Sequence, residues 1–158
     1  MPMQLVVFTL ELQHYALPLA GVQRVVRMME VTPLPEAPGI VLGVIDLQGK
    51  IIPVMSMRKR FGLSEPEASL VDQLIVADTG TRTVALLVSS VSGVTERTAE
   101  EVTATEEIVP GVQQVEGISR LEDGILFICN LDRFLSTTEE RELNGLLAQG
   151  AGKSAGRG

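Results

Sequence analysis

A chain of 158 residues is about one ordinary domain, long enough to bury roughly two thirds of its unfolded surface without a disulfide or a metal. Hydrophobic residues at 45% against charged residues at 21% describe a globular protein and exclude a disordered one. A net charge of -7, with no Trp, one Tyr and four Phe, repels polyphosphates and leaves little to stack bases on, which argues against a nucleic-acid partner.

The charge is uneven: residues 1 to 63 hold six basic and four acidic groups, and residues 64 to 158 hold seven basic and sixteen acidic. An acidic partner would favour the N-terminal part. The one cysteine, Cys129, cannot form an internal disulfide, and Ile125-Leu126-Phe127-Ile128-Cys129 reads as a buried strand in a reducing compartment, hence a cytoplasmic protein. Glu11 and His14 interrupt the N-terminal apolar stretch too early for a signal peptide. No apolar run approaches the ~18 residues of a membrane span, so no direct membrane insertion is expected.

Gln4 to Leu12 is mostly β-branched or aromatic and His14 to Leu19 follows a short polar break, so the chain opens with a hairpin. Val22 to Arg27 reads as a third strand or a short turn of helix. Three prolines between Val31 and Gly39 fix φ and remove ladder donors, which makes a loop. Ile40 to Leu47 and Lys50 to Met55 flank Gln48-Gly49 as a tight hairpin. Met57 to Phe61, stopped by Gly62, predicts one or two turns of helix, and 64 to 69 a connector.

Leu70 to Ala77 and Thr83 to Ser90 form another hairpin around Asp78 to Arg82, followed by a shorter strand near Val94 to Thr98. Ala99 to Pro110 is acidic and irregular. Val112 to Leu121 and Ile125 to Leu131 flank the turn Glu122-Asp123-Gly124. Arg133 to Leu147 carries apolar residues at near-helical spacing and predicts a terminal helix; residues 149 to 158 form a Gly-rich tail. Short strands with frequent turn signals, in two similar halves, point to an all-β barrel architecture.

Little in the sequence suggests catalysis. Gly152-Lys153-Ser154 lacks the leading glycine and the strand of a phosphate-binding loop, and His14, the sole histidine, has no Cys or second His to complete a metal site. The adjacent carboxylates Glu100-Glu101, Glu106-Glu107 and Glu139-Glu140 point in different directions and read as solvated surface. Arg58-Lys59-Arg60 reads as the exposed side of a short helix or a contact for an acidic partner. Cys129 reads as inert core, and Met28, Met29, Met55 and Met57 as core filler or an adaptable contact site.

The string Val6-Val7-Phe8-Thr9-Leu10, Tyr15-Ala16-Leu17-Pro18-Leu19, Val22, Pro33-Leu34-Pro35 and Gly43-Val44-Ile45 resembles the CheW-like domain family of bacterial chemotaxis. So do Leu47-x-Gly49, Ile51-Ile52-Pro53-Val54, Arg58 with Phe61-Gly62, Ala85-Leu86-Leu87-Val88 and Leu121-x-Asp123-Gly124-Ile125. The likeness spans roughly residues 4 to 137 and its combined spacing is far more specific than any one piece. It implies an all-β fold of two SH3-like five-stranded barrels with an apolar seam, short helices and a C-terminal helix, with neither enzymatic activity nor a cofactor. The first barrel is expected near 13–68 and the second near 69–137 with help from strand 4–12, within one domain over 1–148.

The resemblance further implies an adaptor that couples the cytoplasmic tip of methyl-accepting chemoreceptors to the regulatory domain of a CheA-type histidine kinase. A lone domain of this size fits the coupling protein, since the kinase would need phosphotransfer and ATP-binding domains. Val22, Arg24, Ile45, Gln48 and Val88 are the partner-binding residues it implies. Several family positions differ: the Asn-Leu-Arg-Gly turn is Asp46-Leu47-Gln48-Gly49, an acidic position is Arg24, and two aspartates are Ser56 and Ser89. Losing a fixed charge and a bidentate fork at Gln48 implies a divergent paralogue with its own partners. The competing class is a small ligand-binding or hydrolytic β-barrel, which would need convergent polar groups in a pocket.

Overall fold

In the computed structural model the described residues are 2–63, 71–108, 114–133, 136 and 139–147. The opening hairpin is β1 (Met3–Leu10) and β2 (Gln13–Pro18). A 3-10 turn then leads to β3 (Val22–Arg27), so that segment is a strand and not a helical turn. β4 (Val41–Leu47) and β5 (Lys50–Ser56) form the hairpin around Gln48-Gly49, and α1 (Met57–Arg60) follows. β6 (Gln73–Asp78) pairs with β7 (Thr83–Val88).

β8 runs from Ser90 to Arg97, longer than the short strand expected near 94–98 and separated from β7 by Ser89 alone. The stretch read as irregular contains a 3-10 turn, the two-residue β9 (Thr103–Ala104) and the single turn α2 (Thr105–Ile108). β10 (Val115–Leu121) and β11 (Gly124–Cys129) complete the strands. Residues 139–147 are helical, as the leucine spacing predicts; the connector at 64–69 and the tail at 149–158 lie outside the described residues.

The strands form a five-stranded sheet, β3-β6-β7-β5-β4, and a six-stranded sheet, β8-β1-β2-β11-β10-β9. Together they make the all-β, double SH3-like architecture. The first sheet closes where Thr32, beyond β3, exchanges backbone hydrogen bonds of 2.9 and 2.8 Å with Val44 of β4. Gly43 permits that approach: its φ is +154° and a Cβ there would lie 2.2 Å from the Thr32 carbonyl oxygen, closer than any side chain tolerates. In the second sheet, the Arg97 guanidinium at the end of β8 donates to Ser119 Oγ at 3.0 Å and to the Arg120 carbonyl at 3.3 Å on β10.

The barrels do not follow the expected division into 13–68 and 69–137. β2 belongs to the six-stranded sheet, and β6 and β7 to the five-stranded one. One barrel is thus a continuous stretch from β3 to β7, set between the first two and the last four strands of the other. The parallel pairs β2·β11 and β5·β7 cause this, each joining strands from opposite halves of the chain. Sequence periodicity identifies strands but carries no record of such pairing.

Alternation of side chains assigns the core. On β7, Val84, Leu86 and Val88 enter a seam between the barrels, while Ala85 and Leu87 fill the five-stranded interior. Burial on both faces explains why the sequence there is an unbroken apolar run. The six-stranded interior holds Leu5, Val7, Ala16, Leu126 and Ile128. The scarce aromatics collect in the seam, where Tyr15 stacks on Phe61 at 4.7 Å and on Phe8 at 5.7 Å. Met55 and Met57 are fully buried there and Met28 and Met29 are half-buried against the five-stranded interior, so the methionines are core.

Candidate functional site

The tight turn after β4 projects one polar group that the sequence singled out. Gln48 takes φ +54° and Gly49 φ +86°, the left-handed pair that a two-residue hairpin requires. The Asp46 side chain fixes the turn by accepting the Gly49 N–H at 2.8 Å. Gln48 is exposed there, and its Oε1 accepts a 3.3 Å hydrogen bond from Nη2 of Arg24, also exposed, on β3. Two positions 24 residues apart in sequence are therefore in contact. Val22 is half-buried at the start of the same strand, opposite Ala77 and packed against the seam.

The other two candidates are core residues. Ile45 is 1% exposed among Ile52, Val54, Leu74 and Leu87, and Val88 is 0% exposed in the seam, so neither can touch a partner. Ile45 lies inside because the period of two on β4 places it beneath the turn that Gln48 crowns. Val88 also sits at the wrong end of β6: it pairs with Gln73, whereas Val22 pairs with Ala77. The surface near Arg24 instead includes Lys50 and Ile51 of the turn's second strand, with Ile51 57% exposed. Period-two alternation against buried Ile52 is the signal that marks Ile51 as outward-facing.

Several charged groups have other partners than the sequence suggests. Arg58 is 4% exposed and bonds Glu11 and Ser89, and Arg60 pairs with Glu139 at 2.5 Å, so the basic run is not an open patch. Glu139 and Glu140 are not free surface carboxylates: Glu140 pairs with Arg82 at 3.4 Å. Neighbouring helix positions diverge in direction, which lets the two acids reach two different arginines. Burial pushes the Glu139 pKa up, but the Ser136 N–H and the Arg60 guanidinium outweigh it and leave the carboxyl below its ordinary value. Burial first, then the charge of Glu116, pushes the Cys129 thiol far above its ordinary range, which leaves it unreactive.

An open cleft of about 530 Å³ between β9–α2 and β10–β11 is lined by Ile108, Ile118 and Ile125 with Glu100 and Arg120 at its edge. Its polar groups do not converge as a nucleophile, base and oxyanion site would have to. Among the described residues no cluster of three or more His, Cys, Asp or Glu could hold a metal ion, and no helix is long and apolar enough to cross a membrane.

The geometry defines a double-barrel protein whose distinctive surface is a polar contact between a strand and a hairpin turn. A family model described as the CheW-like domain matches residues 4–139, and the chain belongs to that family. It is 25% identical over 149 residues to the chemotaxis protein CheW of Treponema pallidum, covering 90% of this chain and 88% of that one. To the chemotaxis protein CheW of Rhizobium meliloti it is 28% identical over 141 residues, covering 88% and 90%. It is similar in structure to the scaffolding protein TtCheW from Thermoanaerobacter tengcongensis, with a TM-score of 0.77, 30% identity, and coverage of 88% of this chain and 96% of that one.

Proposed function

We propose that this chain is a non-enzymatic adaptor of a chemotaxis system, working in the cytoplasm, that couples methyl-accepting chemoreceptors to a CheA-type histidine kinase. The observation that carries the reading is family likeness over residues 4–139, a span that reaches from β1 through β11. A scaffold needs exposed contact surfaces on a rigid body, and the Arg24–Gln48 contact on a closed barrel supplies one. Val22, Arg24 and Gln48 meet the partner, while Ile45 supports the turn from the core and Val88 packs in the seam at the other end of β6. The kinase contact is with its regulatory domain and the receptor contact is with the cytoplasmic tip. Isothermal calorimetry of the chain against every kinase regulatory domain and receptor tip of its own cell tests this. Micromolar or tighter binding to one of each is expected, and silence with all of them overturns the reading.

A further inference from the structure

We propose that Arg58, Glu11 and Ser89 form a lock that sets the angle between the two barrels where the chain passes directly from one to the other. Ser89 is the single residue between β7 of the five-stranded barrel and β8 of the six-stranded one. The barrels are joined at two places, by the 3-10 turn Leu19–Gly21 and by Ser89 alone, and the one-residue crossing turns about its φ and ψ unless something holds it. The apolar seam resists separation and its packing limits the angle, but apolar contact is itself non-directional. Directional charge-assisted hydrogen bonds can fix the angle.

Three elements converge on this point. Arg58, from α1 of the five-stranded barrel, donates through Nε to Glu11 Oε1 at 3.1 Å and through Nη2 to Ser89 Oγ at 2.5 Å. Glu11 sits in the β1–β2 turn of the six-stranded barrel, so the buried guanidinium ties the crossover to both bodies. The flanks are tied as well. The Ser89 N–H donates to the Thr9 carbonyl at 3.0 Å, and the Val91 N–H to Gln73 Oε1 of β6 at 2.8 Å.

Glu11 carries the second, independent sign. Its φ is +56°, a left-handed conformation that costs energy for a residue with a side chain and none for glycine. Strain kept at a turn where glycine would be relaxed points to a use for the carboxylate, and the carboxylate is bonded to Arg58. That the lock serves signalling rests on the adaptor reading; the lock itself does not.

The test uses the full chain with cysteines introduced at exposed Lys50 and Glu122, one on each barrel, carrying spin labels; fully buried Cys129 stays unlabelled. Double electron–electron resonance is expected to give one narrow distance in this parent. Glu11→Gly removes the carboxylate while relaxing the backbone, so folding is kept, and Ser89→Ala removes the other acceptor. Each is expected to broaden the distribution or add a second distance, and Arg58→Lys, which keeps charge but loses the fork, to do the same. Arg27→Ala, on an exposed strand position, is expected to leave the distance unchanged. A distribution as narrow as the parent's in both Glu11→Gly and Ser89→Ala overturns the lock. Broadened distances with unaltered affinity for kinase and receptor fragments uphold the lock and count against its link to the adaptor reading.

Discussion

Arg24 and Gln48 reach each other across the barrel surface, so the charge of one position sets the setting of the other. Replacing Arg24 by Glu and Gln48 by Arg together should strengthen binding to a standard receptor tip and weaken binding to the chain's own, because rim charges mostly govern specificity. Since the side chains touch, the two single substitutions should be non-additive by about 0.5–3 kcal/mol in a double-mutant cycle read by calorimetry. Additive effects, or affinities all within about 0.5 kcal/mol of the starting protein, would sink the specificity argument. Burial separates the remaining candidates by a different measurement. Ile45→Ala should cost about 2–5 kcal/mol in urea unfolding, whereas Arg24→Ala should stay within about 0.5 kcal/mol. The family resemblance marked Arg24 and Gln48 as unusual, but only the closed barrel shows that they meet. Val88 lies on β7, which is buried on both faces and so loses the alternation that distinguishes its sides, whereas the alternation along β4 is what places Ile45 inside.

At the level of elements, most strands and both hairpin turns of the five-stranded barrel were legible from β-branched runs bounded by Gly and Pro. The start of β8 was not: Ser89 gives no turn signal, so the end of β7 and the start of β8 read as one strand. Gly43 shows how one backbone position controls an element. Gly43→Ala would drive a Cβ into the Thr32 carbonyl at 2.2 Å and should cost more than about 1 kcal/mol, with loss of protection at the Thr32 and Val44 amides in hydrogen exchange. The helix at 139–147 has a pH-dependent attachment. The Glu139 pKa is lowered from its ordinary 4.5 in the folded state, so its stabilisation is fully present above that value and is lost as pH falls through the folded value. Amide exchange of the helix should therefore rise below about pH 4.5, and Glu139→Gln should flatten that response. An acid profile unchanged by the substitution would remove Glu139 as the cause.

For the whole molecule, the class of fold was readable because turn signals recur at barrel spacing, but the nesting of one barrel within the other was not. Pairing between distant strands leaves no periodic trace, and the two crossings between sheets are made by a three-residue 3-10 turn and by a single serine. That nesting has a consequence for synthesis. The first hairpin emerges from the ribosome first, yet β1 takes its second neighbour only when β8 arrives, and Gln13 on β2 bonds Ile125 across 112 positions of chain. At translation rates of 5–20 residues per second, that hairpin waits on the order of 10 s with an open edge. Meanwhile the inner barrel, complete once β7 has emerged, is free to close on its own. The earliest-made part of this protein is thus among the last to become native, and it is there that a nascent chain stands most in need of protection from neighbouring edges.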